Sequence, residues 1–193
     1  MELKVREEFS VKTPYERAWE FFSKPDLMLG CIPGAKVKEI KEDGSFSAEV
    51  KVKLGAITLN FTGNMKYEEL NKDQGKMVLT GEGKEKGGAG RAKARIESNL
   101  IREEDSVKVE VLATVDITGR ILQYGRGMFE QVAKEYFAQF SECASKYLEQ
   151  FQEEVTEKKI VDEVKPPQAK EVNMIVLIFK AFLSWIGSIF KRG

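Results

Sequence analysis

The sequence predicts an α+β domain, a curved antiparallel sheet packed on a long C-terminal helix, with a separate hydrophobic helix beyond it. Three observations carry this. Between Ala35 and Thr118 apolar residues alternate with a period of two through consecutive runs joined by short turns. From Gly119 to about Phe151 the period becomes three and four and holds for about eight turns. The final segment, Met174 to Gly193, reads MIVLIFKAFLSWIGSIFKRG and follows a charged, proline-containing stretch.

Taken in order, Leu3, Val5, Glu7, Phe9 and Val11 alternate with Lys4, Arg6, Glu8 and Ser10, which predicts a half-buried first strand. Thr13-Pro14 then predicts a helix start, with Thr13 as N-cap and Pro14 at the first helical position. Ala18, Trp19, Phe21 and Phe22 supply its apolar face, and Lys24-Pro25 breaks it. A second short helix is expected from Pro25 to the turn at Pro33-Gly34. Strands follow around Val37 and Ile40, then from Phe46 to Leu54, Ile57 to Tyr67, Met77 to Gly83, Arg91 to Ile101 and Val107 to Ile117. Glu42-Asp43-Gly44, Asn71-Lys72-Asp73, Gly87-Gly88 and Glu103-Glu104-Asp105 separate them as turns. Consecutive strands with short turns form an antiparallel meander with one solvated face. The long helical stripe then runs through Ile121, Gly125, Met128, Phe129, Val132, Tyr136, Phe140, Cys143, Tyr147 and Phe151.

The domain is placed at residues 1–151, a charged linker with Pro166-Pro167 at 152–173, and the terminal helix at 174–193. Inside the domain, the inner positions Gly63, Gly81, Gly83, Gly90, Ala92, Ala94 and Ala113 are small, and small residues on an inner face leave volume to be filled. Facing a Met- and Phe-rich helical stripe, they predict a cavity walled by Phe22, Met28, Ile32, Phe61, Met65, Leu79, Ile96, Val111, Met128, Phe129 and Val132. A core simply filled by side chains is the competing expectation.

Composition narrows the chemistry. Lys plus Arg equals Asp plus Glu at 31 each over 193 residues, so no bulk field favours nucleic acid. Histidine is absent, which removes Ser-His-Asp and Cys-His devices and the commonest general base. No catalytic residue and no metal site is expected. Cys31 and Cys143 are too few and too far apart for a metal pattern or a disulfide framework. A reduced cytosolic setting and a buried Cys31 thiol at the cavity rim are the expectation. The N-terminus MELKVREEFS lacks the apolar core of a signal peptide. The basic segment Gly83 to Arg91 lacks the Gly-Lys-Ser/Thr ending of a P-loop and reads as a hairpin turn, with a mobile gate as its functional alternative. Asp116 and Arg120 are expected to pair or to meet a ligand head.

The terminal helix predicts membrane association through Ile175, Leu177, Ile178, Phe179, Phe182, Leu183, Trp185, Ile186, Ile189 and Phe190. Lys180, Ser184, Gly187, Ser188 and Lys191 form a narrow polar stripe, and Lys191-Arg192 suits anionic headgroups. About 25 Å of apolar helix falls short of the roughly 30 Å hydrocarbon core, so lying in the interface fits at least as well as spanning. Packing against protein is the alternative. The linker would reach on the order of 25 Å.

The segments Cys31-Ile32-Pro33-Gly34-Ala35, Val52-Lys53-Leu54-Gly55-Ala56-Ile57, Phe61-Thr62-Gly63, Gly87-Gly88-Ala89-Gly90 with Ala92 and Ala94, and Val115-Asp116-Ile117-Thr118-Gly119-Arg120-Ile121-Leu122 before Gly125 together resemble the CoxG family of carbon monoxide dehydrogenase accessory proteins. That family lies within the START/Bet v 1-like helix-grip (SRPBCC) superfamily. The resemblance covers about residues 1–150 and implies a non-enzymatic accessory protein at the cytoplasmic face of the cell membrane. Its implied partner is a molybdenum CO dehydrogenase or related molybdenum hydroxylase, which it would recruit or connect to the quinone pool. The implied ligand is lipophilic, an isoprenoid quinone such as menaquinone, with no covalent cofactor. A pure recruitment adaptor, or a lipid-binding, hydrolase or cyclase relative, are the alternatives.

Overall fold

The computed structural model describes residues 1–157. Residues 158–173 of the predicted linker and the predicted membrane-associating helix at 174–193 lie outside the described residues. Seven strands form one antiparallel sheet: β1 (Glu2–Val11), β2 (Ala35–Ile40), β3 (Phe46–Leu54), β4 (Ile57–Asn71), β5 (Lys76–Glu85), β6 (Gly90–Arg102) and β7 (Val107–Gly119). The order across the sheet is β1-β7-β6-β5-β4-β3-β2, so the meander returns to pair its last strand with β1. Helices α1 (Tyr15–Ser23) and α2 (Pro25–Gly30) connect β1 to β2, and α3 (Arg126–Glu157) follows β7. Among the described residues, no helix is long and apolar enough to cross a membrane.

The alternation seen in the sequence sets the faces. Residues with one parity on β3 to β6 point inward, and the charged residues between them form the outer face, where Glu68 pairs with Arg95 at 2.6 Å and Glu49 with Lys38 at 2.6 Å. The helix α3 packs chiefly along β1 and reaches across to β3, where the Tyr136 hydroxyl donates to the Lys51 carbonyl at 2.8 Å. One end of the interior is solid. There Phe21 and Phe22 of α1 meet Phe140 and Tyr147 of α3, and Phe9 of β1 lies edge-on to Phe137 and Phe140.

Three local expectations are corrected. Thr13 does not cap α1: the helix begins at Tyr15 with Pro14 in the capping position, and the buried Thr13 hydroxyl instead donates to the Leu148 carbonyl of α3 at 3.4 Å. Gly119 does not open an unbroken helix. Gly119 and Gly125 take φ of 103° and 77°, left-handed values that favour glycine, and they bracket a 3-10 turn at Arg120–Tyr124 before α3 starts. Cys31 is not a free thiol. The end of α2 docks on α3 and joins Cys31 to Cys143, with Cα atoms 5.4 Å apart across a sequence separation of 112.

Candidate functional site: an apolar cavity on the sheet

Beyond the aromatic end, the concave face of the sheet is not filled. A cavity of about 370 Å³ lies over β3, β4, β5 and β6, roofed by α2 and the following loop and closed at its far end by Ile121 and Phe129. Its floor follows from the strand register. Ala48 faces Gly63, Gly63 faces Gly83 and Gly83 faces Ala92, so one row crosses four strands with no side chain larger than a methyl group. In the next row, Met65-Gly81-Ala94, the small Gly81 and Ala94 lie beside Met65, whose side chain lies against Gly81. Gly63 is required here for close approach: a Cβ would lie 2.3 Å from the Glu82 carbonyl oxygen. From Leu59 to Tyr67 the lining extends along β4 for about 25 Å.

Of the eleven residues expected to wall the cavity, Phe22, Met28, Ile32, Phe61, Met65, Leu79, Ile96 and Phe129 line it. Three do not. Val111 packs into the aromatic core, Val132 packs beside Leu54, Leu59 and Phe129 in the cluster that closes the far end, and Met128 is 36% exposed on the surface. The cause is the position of α3 over β1, which turns only a narrow arc of the helix toward the cavity. The lining also includes Leu29, Ala35, Val50, Val52, Leu54, Leu59, Met77, Ser98, Ile117 and Ile121. Val50, Val52 and Leu54 share the parity of Ala48, so alternation alone marks them. Leu29 and Ile121 belong to short helical turns whose orientation no periodicity fixes.

The polar groups at this site are nearly all engaged. Tyr67 faces inward, and its hydroxyl donates to the Phe22 carbonyl at 2.6 Å in the last turn of α1. Burial pushes its phenol up, so it stays protonated. Glu85 also faces inward, at the glycine-rich hairpin between β5 and β6. Its carboxylate accepts the backbone N–H of Ala89 at 3.1 Å and of Asn60 at 3.3 Å. Lys86 holds the same hairpin to β3 by an ion pair with Glu49, whose carboxyl is drawn down to about 2 by hydrogen bonds from Lys38 and Lys86. The basic segment is thus a tied hairpin. Asp116 pairs with the Met1 amino group at 3.2 Å, while Arg120 is exposed at the 3-10 turn, so neither meets the cavity.

The Glu85 contacts carry a pH dependence. Amide hydrogen bonds, led by that from Ala89, lower its pKa below the usual carboxylate value. A group depressed in the folded state stabilises above its unfolded pKa and loses that contribution as pH falls through its folded pKa. Protection of the Ala89 amide, taken relative to its intrinsic exchange rate at each pH, should therefore be lost selectively as the pH falls below the usual carboxylate range. Glu85→Gln should show the lower protection already at neutral pH. Uniform loss of protection across all strands would count against a local hairpin effect.

A family model for the carbon monoxide dehydrogenase G-subunit (CoxG) matches residues 8–149. No curated protein matches the chain. Among solved structures, a conserved protein from Geobacillus kaustophilus superposes with TM-score 0.68 at 19% identity, covering 77% of this chain and 96% of its own. A START superfamily protein from Mycobacterium smegmatis gives 0.54 at 16% identity, covering 77% and 98%. The Zhui aromatase/cyclase from Streptomyces sp. R1128 gives 0.56 at 11% identity, covering 78% and 95%. At these identities the likeness is one of fold. That fold is START/Bet v 1-like, and with the family match spanning most of the described domain, the chain belongs to the CoxG family.

Proposed function

We propose that this protein carries a lipophilic ligand, an isoprenoid quinone such as menaquinone, on behalf of a molybdenum CO dehydrogenase or a related molybdenum hydroxylase at the cytoplasmic face of the membrane. In this role it recruits the enzyme or links it to the quinone pool, and its own residues perform no chemistry. The observation that carries the reading is the apolar cavity over the glycine-alanine floor, in a chain of the CoxG family. An isoprenoid chain entering it exchanges water for aliphatic walls at roughly 25 cal/mol per Å² of buried apolar surface, so few polar contacts are needed. The inward-facing Tyr67 and Glu85 are occupied by structural hydrogen bonds, which favours a carrier over a catalyst. A pure adaptor with a filled core is disfavoured by the same cavity.

In this reading the hydrophobic segment 174–193 supplies the membrane contact. Full-length protein purified in mild detergent should release a prenylated quinone into organic solvent, identified by mass spectrometry. A chain ending near Gln168 should leave the membrane fraction. An extract empty of prenyl lipids, from protein that also refuses added menaquinone, would remove the carrier reading. Membrane binding by the truncated chain would remove the tether.

A further inference from the structure

The cavity has a polar end, and it is set by one side chain. On β3 to β6 the inward-facing positions are apolar or glycine, with three polar exceptions: Tyr67, Glu85 and Ser98. Tyr67 has spent its proton on the Phe22 carbonyl, and Glu85 is spent on hairpin amides. Ser98 lines the cavity, is partly accessible, and its hydroxyl has no hydrogen-bond partner among the described residues. The register places it opposite Met77 of β5 and Val111 of β7, one inward position beyond the Tyr67-Leu79-Ile96 row. It therefore stands where the open cavity meets the aromatic core, at the end beneath α1. Among the described residues no side-chain polar atom is buried without a partner, so the Ser98 hydroxyl is open to the cavity, where a ligand oxygen can take the place of water.

We propose that Ser98 is the head-group determinant of the cavity, so that the ligand enters head first, its carbonyl or hydroxyl oxygen bonded to Ser98, with its chain trailing over the Gly81, Gly83, Ala92 and Ala94 floor toward Phe129. The ligand class is an amphiphile with an oxygen-bearing ring and an apolar chain. This assignment rests on the carrier reading and adds its orientation. The large end-wall groups Phe22 and Met77 flank a flat head, whereas the far end narrows between Leu54, Ile121 and Phe129, which suits a chain.

The test uses the full-length protein in mild detergent and two probes: a menaquinone with a short prenyl chain, and the matching isoprenoid hydrocarbon without the ring. Affinities are read by displacement of a fluorescent lipophilic dye. Ser98→Ala should weaken the menaquinone by about fivefold, the worth of one net hydrogen bond, and leave the hydrocarbon unchanged. Ser98→Thr, which keeps the hydroxyl, should preserve the preference for the menaquinone. Equal loss for both probes, or loss for neither, overturns the assignment. A measurement independent of variants is the infrared carbonyl stretch of the bound menaquinone: one carbonyl band should be lowered relative to the other, and an unsplit band overturns the assignment. If the wild-type protein takes up neither probe, the carrier reading itself fails. If it takes up both and does not distinguish them, only the role of Ser98 fails.

Discussion

Replacing Cys31 and Cys143 together with alanine should lower the unfolding free energy by about 2–5 kcal/mol. The bond closes a loop spanning a sequence separation of 112, from the end of α2 across β2 to β7 and into the middle of α3. In the chain-entropy account, a cross-link over about 100 residues restricts the unfolded ensemble by nearly 5 kcal/mol, offset by any strain in the folded protein. Urea unfolding of wild type with and without reductant, beside the double variant, measures it directly. The oxidised wild type should have the higher midpoint, and reductant should leave the variant unmoved. Identical midpoints in oxidised and reduced wild type would mean that the two sulfurs are not bonded in solution. Because Ile32 lies next to Cys31 and lines the cavity, the bond also fixes the roof against α3. Reduction should therefore loosen bound lipophilic probe as well as lower the midpoint.

Filling the floor of the cavity should remove ligand uptake. Ala92→Phe or Ala94→Leu places a bulky side chain into the space above the Gly63-Gly83 pair. Affinity for a lipophilic probe should fall by about tenfold or more, since the added atoms occupy the ligand's own volume. In a packed core such insertions cost about 1–3 kcal/mol, and here the new atoms enter open space, so the thermal midpoint should change less than that implies. The control is Met128→Trp. Its position on the surface predicts unaltered binding, although the helical stripe in the sequence would have placed it in the wall. Unchanged uptake in folded Ala92→Phe and Ala94→Leu would argue that lipophilic molecules bind elsewhere.

The contrast between Ala94 and Met128 marks how far the sequence can be read. Along a strand, alternate residues face opposite sides, so once Ala94 is inward, Ala92, Ile96 and Ser98 are inward too. The sheet, its turns and most of the cavity floor are legible for that reason. A helix offers no such certainty. Phe129, Tyr136 and Phe140 step along one line by seven and four, but Met128 stands about 100° away from Phe129, and only the docking of α3 over β1 decides which arc is buried. The Cys31–Cys143 contact and the use of Thr13 to reach Leu148 are likewise products of tertiary packing, with no local signature. Ser98 carries no mark of its own: a single serine in a strand reads as an ordinary surface position, and only its parity with Ala94 and Ile96 turns it inward.

The largely apolar lining also sets a clock. Glu49 and Glu82 belong to the lining but pair outward with Lys38, Lys86 and Lys93, so a guest meets chiefly apolar side chains. The dwell time of any apolar guest then follows from the guest itself. Each methylene that must pass from the cavity into water raises the barrier by about 0.8 kcal/mol, which slows escape by about fourfold. A short chain would exchange freely with solvent, whereas a long one would remain until an acceptor offered it an equally dry surface. For a carrier of this kind, unloading would take place by contact with that acceptor, and its rate should rise with acceptor concentration.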